Sequence, residues 1–455
     1  MLSPDSGTHL SSRFGVFAFW LALVGAASLL YYDLGLLIPR SLQVGVANRL
    51  GNGYSFGCDF YPVWLTSREW LREGRYPYSA EMTREIQQGL FGRPLDPNIP
   101  TDPRDLRMFA HPAFTVLLFL PAAELPFVVS RVALAALLAA MTLASVLAWM
   151  RAMSWRVSWN WMAVILLLTL CSYPAIEGLY VGQLGLLVAF LLTASLLALR
   201  QRRFLLAGIL MAITTMKPQV TVFAILYLVI WSMYDWRARG RFCLGLFSTL
   251  VLLVGTSLAL FPHWIQSWTR TVLAYRHYTR PPLVTEVLTS PLGLRWDGPA
   301  TLALTGAAII IAILLAWRNR AAPFGSFAFW ITLSLLLSIT TIFILPGQAI
   351  YDHLILLPGI LLLARYRSTL GDAGAVPRML LSIGGLVLFW PWIAAFILIV
   401  IRPWLSPELF NSTVVSSLPI RTAASLPFAV LALLGWSMRV NSAKNQQPAE
   451  APFCV

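Results

Sequence analysis

Long apolar runs separated by short basic connections dominate this chain. A helix needs about 20 predominantly apolar residues to cross a bilayer. Runs of that kind recur from residue 14 to residue 438. The pattern predicts twelve spans, at 14–38, 127–150, 157–175, 180–199, 204–216, 218–235, 242–261, 299–317, 325–345, 350–365, 379–401 and 421–438. The fifth and sixth are short enough to form one long kinked element instead. Helices satisfy their own backbone hydrogen bonds in lipid, so the expected fold is an all-α polytopic membrane bundle. The first run is too long for the apolar core of a cleavable signal peptide, and no small-residue cleavage site accompanies it.

Polar residues gather in two longer segments. The first, 39–125, carries Pro, Gly, aromatic residues and nearly balanced charge, the composition of a folded cap. Within it Val63–Arg75 is helix-like and ends at Gly74. Phe114–Leu125, bounded by Pro112 and Pro126, is too short to span and is expected to lie along the interface. The second segment, 262–298, interleaves Trp264, Trp268, Tyr275 and Tyr278 with Arg270 and Arg276, which suits the headgroup layer. The division expected is a tail at 1–13, a transmembrane domain at 14–438 and a second tail at 439–455. No internal repeat is visible.

Composition agrees with this reading. The 455 residues are 58% hydrophobic and 11% charged. The net charge of +14 comes from 31 Arg and 2 Lys against 19 acids, and it is spread between the spans. That distribution fits anionic lipid surfaces better than nucleic acid, so membrane lipids are expected partners and nucleic acid is not. Thirteen arginines sit in the connections after spans two, four, six, eight and ten, at 151, 156, 200, 202, 203, 237, 239, 241, 318, 320, 365, 367 and 378. Basic loops face the cytoplasm. The rule therefore puts both tails inside and the segments 39–125 and 262–298 outside. Four cysteines without metal or redox spacing and five scattered histidines predict neither a metal site nor a cofactor. No Walker loop, serine triad or dinucleotide fingerprint is present, so any sugar donor would have to be lipid-linked.

A few polar residues stand out against the apolar background. Asp59, in Gly57-Cys58-Asp59-Phe60-Tyr61-Pro62, is the only acid between Leu34 and Arg68. It is either a general base or a helix cap paired with Arg68. Lys217, before Pro218 in a run otherwise apolar from Phe204 to Trp231, is costly in a membrane and needs a partner or a wet cavity. It is either a phosphate-binding ammonium or a snorkelling side chain. Gly182-Gln183 opens the fourth span and offers a donor and an acceptor. Tyr351-Asp352-His353 opens the tenth, after Pro346-Gly347-Gln348. Its histidine either donates to a phosphate or pairs with Asp352. Asp33 is the one further acid expected inside a span.

Asp59-Phe60-Tyr61, Gly74, Tyr78, His111-Pro112-Ala113, Gly182-Gln183, Ala207-Gly208 and Lys217-Pro218 fall in an order that resembles glycosyltransferase family 87 over most of residues 55–360. That family comprises polyprenol-phosphate-mannose-dependent mannosyltransferases of the GT-C membrane fold. Three positions depart from its pattern. His111-Pro112-Ala113 stands for Tyr-Pro-Pro, Gly185 for an asparagine, and Leu288-Thr289-Ser290-Pro291-Leu292 for an Asn-Gln-Ser-type stretch. The resemblance implies a polyprenyl-phosphate sugar donor and a glycolipid or glycan acceptor. Asp59 would be the catalytic base, with substrate contacts from Lys217, His353, Gln183, Tyr61 and His111. Two other readings remain open here: a lipid or small-molecule flippase, and a non-catalytic assembly subunit.

Overall fold

A computed structural model describes residues 12–47, 51, 53–96, 98–99, 102–103, 105–279, 299–347, 349–372 and 374–446. Gln348, residues 280–298 with their Leu288–Leu292 stretch, and most of both tails therefore lie outside the described residues. No strand forms among those described, and most of them are helical.

Among the described residues, four helices are long and apolar enough to cross a membrane: Gly15–Ala47, Phe127–Ala152, Trp236–Leu260 and Ala375–Trp404. The first runs through Pro39, where a loop was expected. A proline normally clashes with the carbonyl four residues back. Here Tyr31–Leu37 is a π-helix, with the Ile38 amide bonded to Asp33 O five residues back. This wider turn precedes the proline and lets the helix continue. A fifth span is broken, Trp159–Leu170 followed by Tyr173–Val181 at 50°. Ser172 restarts it by capping Ala175 N. The helix expected from residue 180 consequently begins at Leu184.

The remaining apolar helices are shorter, at 10–17 residues. Phe204–Ile213 with its 3-10 extension Thr214–Met216 stops at Lys217, and Pro218–Tyr234 follows. Proline excludes its predecessor from helical geometry, and Lys217 indeed sits at φ −135°. Close packing of Phe204–Ile213 on Trp236–Leu260 depends on two glycines. A Cβ on Gly208 would overlap Phe242 O, and one on Gly245 would overlap Leu205 O. Such small residues let helices approach backbone to backbone in lipid. The helix Phe327–Phe343 is buried along nearly its whole length and forms the middle of the bundle.

A polar layer covers one end. It contains Tyr61–Glu73, which stops at left-handed Gly74 (φ 65°), and Ala80–Phe91, capped by Ser79. Two short pieces follow, Phe114–Leu118 and Leu120–Ala123. The helix Trp264–Thr279 joins this layer from a distant part of the chain. Trp268 donates to Ala110 O at 2.9 Å, and Tyr76 donates to Ser267 Oγ at 3.0 Å.

Candidate functional site

The loop carrying Asp59 is stitched to the end of the broken span. Gly57 N donates to Tyr180 O at 2.8 Å and Asp59 N to Val181 O at 2.9 Å. Gly182 ends that helix at φ 73°, and its amide hydrogen-bonds to Gly178 O. A Cβ there would stand 2.8 Å from Phe60 Cβ. Glycine is thus required twice, for the left-handed turn and for the close approach. Gly182→Ala should lower thermal stability by about 1–3 kcal/mol and loosen the Asp59 loop. A melting temperature unchanged from wild type would contradict this.

Immediately after the turn, Gln183 joins two charges. Its Nε2 donates to Asp59 Oδ2 at 2.7 Å, and its Oε1 accepts from Lys217 Nζ at 3.1 Å. Lys217 also contacts both Asp352 oxygens, at 2.7 and 2.8 Å, and lies 4.9 Å from the centre of the Tyr351 ring. The other oxygen of Asp59 pairs with Arg107, whose Nε lies 2.9 Å from Asp105. The result is a continuous polar chain, Arg107–Asp59–Gln183–Lys217–Asp352, drawn from five separated segments. Asp59 keeps a side-chain exposure of 17%, against 9% for Lys217 and 1% for Asp352. The carboxylate is therefore the most accessible charge between the two cations.

Several expectations change. Asp59 neither caps the following helix nor meets Arg68. That helix has no side-chain cap, and Arg68 donates to Leu125 O and stacks on Trp64. Asp352 turns to Lys217 and not to His353, both of whose ring nitrogens are buried without a hydrogen-bond partner among the described residues. Tyr61 packs its ring on Trp64 and Phe127, with its hydroxyl against Gly89. Among the described residues no hydrogen bond brings His353 or Tyr61 into the chain. His111 stands beside it, with Nδ1 3.2 Å from Met216 O.

Two departures from the resemblance acquire a physical context. A Cβ at Gly185 would overlap Asp352 Oδ1, so the missing side chain leaves the space that Asp352 occupies beside Lys217. Gly185→Ala should displace Asp352, cost about 1–3 kcal/mol and reduce turnover. Wild-type stability and activity together would show that the space is not needed. At His111, burial pushes the imidazole from 6.5 down to about 4, with nearby Lys217 adding to the fall. Below 6.5 the unfolded chain takes a proton that the folded chain refuses. Stability should therefore drop as pH falls from 6.5 towards 4. His111→Gln should flatten that part of a stability–pH curve; an unaltered curve would exclude this cause.

Arg107 and Glu177 are two further charged residues of this region that were not among the expected site residues. Arg107 is in the left-handed region at φ 42°, a conformation that for a non-glycine residue concentrates at functional sites. Its pairing with Asp59, 48 positions away, leaves no local signal. Glu177 did leave one, because it is an acid in the apolar stretch before Gly182. It is a second in-span acid besides Asp33, and among the described residues its Oε2 is buried without a hydrogen-bond partner, as are both Asp33 oxygens. Among the described residues, no three His, Cys, Asp or Glu are grouped to hold a metal ion.

An apolar helical bundle capped by a polar layer, with a buried charge chain beneath the cap, defines a polytopic membrane protein. The family model of glycosyltransferase family 87 matches residues 109–341, just over half the chain, and the chain belongs to that family. It is a membrane glycosyltransferase. The matched segment contains His111, Gln183 and Lys217 and stops short of Asp59 and Asp352 on either side. No curated protein and no solved structure matches the chain.

Proposed function

We propose that this protein moves a hexose, mannose by resemblance, from a polyprenyl-phosphate sugar to a hydroxyl of a glycolipid or glycan on the extracytoplasmic face. The observation that carries this reading is the Gln183 amide, which holds a carboxylate and an ammonium at its two ends. A carboxylate suits the acceptor hydroxyl and a cation suits the departing phosphate. Membership in the family supplies the requirement for a sugar donor and an acceptor.

In the proposed step the Asp59 carboxylate takes the hydroxyl proton, and the oxygen attacks the anomeric carbon. The bond from that carbon to the phosphate oxygen breaks, and polyprenyl phosphate leaves with the electron pair. Direct attack inverts the anomeric centre. Lys217 stabilises the charge that develops on the phosphate. Arg107 pairs with the Asp59 carboxylate before substrate arrives and holds it in place. The incoming donor phosphate competes for Arg107 and so frees the carboxylate to act.

The test is transfer from a labelled polyprenyl-phosphate mannose by the purified protein in lipid, with the product's anomeric configuration measured. Transfer with inversion supports the reading. Movement of intact donor across the bilayer without transfer would favour a flippase. Inertness towards a panel of polyprenyl-phosphate hexoses would overturn the proposed donor. Cysteines introduced near 59 and 217 should be labelled only from the extracytoplasmic side; labelling from the cytoplasm would reverse the topology.

A further inference from the structure

A second site lies away from the Asp59 chain. A cavity of about 330 Å3 opens between the end of the first long helix and the end of Ala375–Ile401, and neither Asp59, Gln183, Lys217 nor Asp352 lines it. Its volume is in the range that holds a small ligand. Its walls include Tyr32, Arg40, Gln43, Arg402, Phe410 and Asn411. Arg40 donates to Asn411 O, and the Arg402 guanidinium lies 5.4 Å from the centre of the Phe410 ring. Among the described residues neither arginine forms an ion pair. A guanidinium carries five donors in a fork that matches phosphate oxygens. Two such groups face this one cavity with donors to spare, and no carboxylate lines it.

The surroundings are amphiphilic. One wall is formed by the π-helical turn Tyr31–Leu37, a local irregularity of the kind that often accompanies function. Leu36, Leu37 and Leu405 supply apolar surface. Beside the cavity, Trp404 is 77% exposed, as a membrane-interface anchor would be. Paired guanidinium groups beside apolar surface suit the phosphate and acyl chains of an anionic lipid. We propose that this cavity binds the phosphate of an anionic glycerophospholipid between Arg40 and Arg402. Tyr32 in its wall belongs to a buried cluster with Tyr173 and Ile176, on the helix that carries the Asp59 loop. The lipid would thus lie one layer of side chains from that helix, without being a substrate.

Native mass spectrometry of the full chain in neutral detergent, titrated with dioctanoyl phosphatidic acid, tests the proposal apart from transferase activity. Arg40→Gln and Arg402→Gln should each weaken binding about fivefold, the effect of one basic group near a lipid surface. Arg402→Lys should retain most of the affinity. Arg270→Gln, at an exposed position on a different helix, and Asp59→Asn should change nothing. Unfolding temperature is measured for each variant. If Arg40→Gln does not fold, Arg402→Gln decides, because Arg402 is exposed and braces no core. Unchanged affinity in the folded Arg402→Gln variant would overturn the site. Equal competition by inorganic phosphate would show a site for free anion, and equal binding of dioctanoyl phosphatidylcholine a site indifferent to charge; either result would overturn the lipid assignment.

Discussion

Asp59→Asn should reduce sugar transfer by roughly 10²–10⁴-fold, the range contributed by a positioned general base. Two nitrogen donors converge on this carboxylate, from Arg107 and from Gln183 Nε2, and the Cys58 thiol lies 3.6 Å from Oδ1. Asparagine offers one acceptor oxygen to both, so one bond is lost at a cost of about 1–3 kcal/mol. Arg107 retains Asp105, and the backbone bonds from Gly57 and Asp59 to the neighbouring helix do not depend on the side chain. The variant should therefore fold, with a modestly lower melting temperature, and fail in turnover. Measuring both on one preparation separates chemistry from folding. Full activity in the folded variant would remove Asp59 as the base.

Lys217→Met should be more damaging to the fold. It leaves the Asp352 carboxylate, 1% exposed, without its cation. Breaking one side of a buried ion pair costs about 3–5 kcal/mol, because the remaining charge stays desolvated. Loss of activity in the single variant would therefore be ambiguous. The informative protein is Lys217→Met with Asp352→Asn, where the stranded charge is also removed. Its melting temperature should recover much of the loss, while transfer should stay at least about 100-fold below wild type, the scale of losing one stabilising donor at the developing charge. Recovery of transfer along with stability would show that Lys217 is structural and that another group receives the phosphate.

What could be read from the sequence was local. The break at Pro218 and the stop at Gly74 follow from the backbone restrictions of single residues. Asp59, Gln183 and Lys217 were visible because a polar side chain beside apolar spans is costly and needs a partner. Their partners were not visible. Asp59 meets Arg107 across 48 positions and Lys217 meets Asp352 across 135, and no periodicity encodes such pairings. For that reason the sequence leaves a pairing of Asp352 with its neighbour His353 open, and does not point to Lys217. Gly185 looked like a lost asparagine until the Asp352 carboxylate was seen filling its space. Helix limits failed where local geometry overrode hydropathy, at the π-helical turn before Pro39 and at the Ser172 restart.

The pairing of Asp59 with the acceptor and of Lys217 with the phosphate would be visible in a cryo-electron microscopy map of the Asp59→Asn protein in lipid with an intact polyprenyl-phosphate sugar bound. Donor phosphate is expected within hydrogen-bond reach of Lys217 Nζ, about 3 Å, with the anomeric carbon facing residue 59 and Arg107 drawn to the phosphate. Donor density with its phosphate away from Lys217, or with the sugar turned away from residue 59, would contradict it.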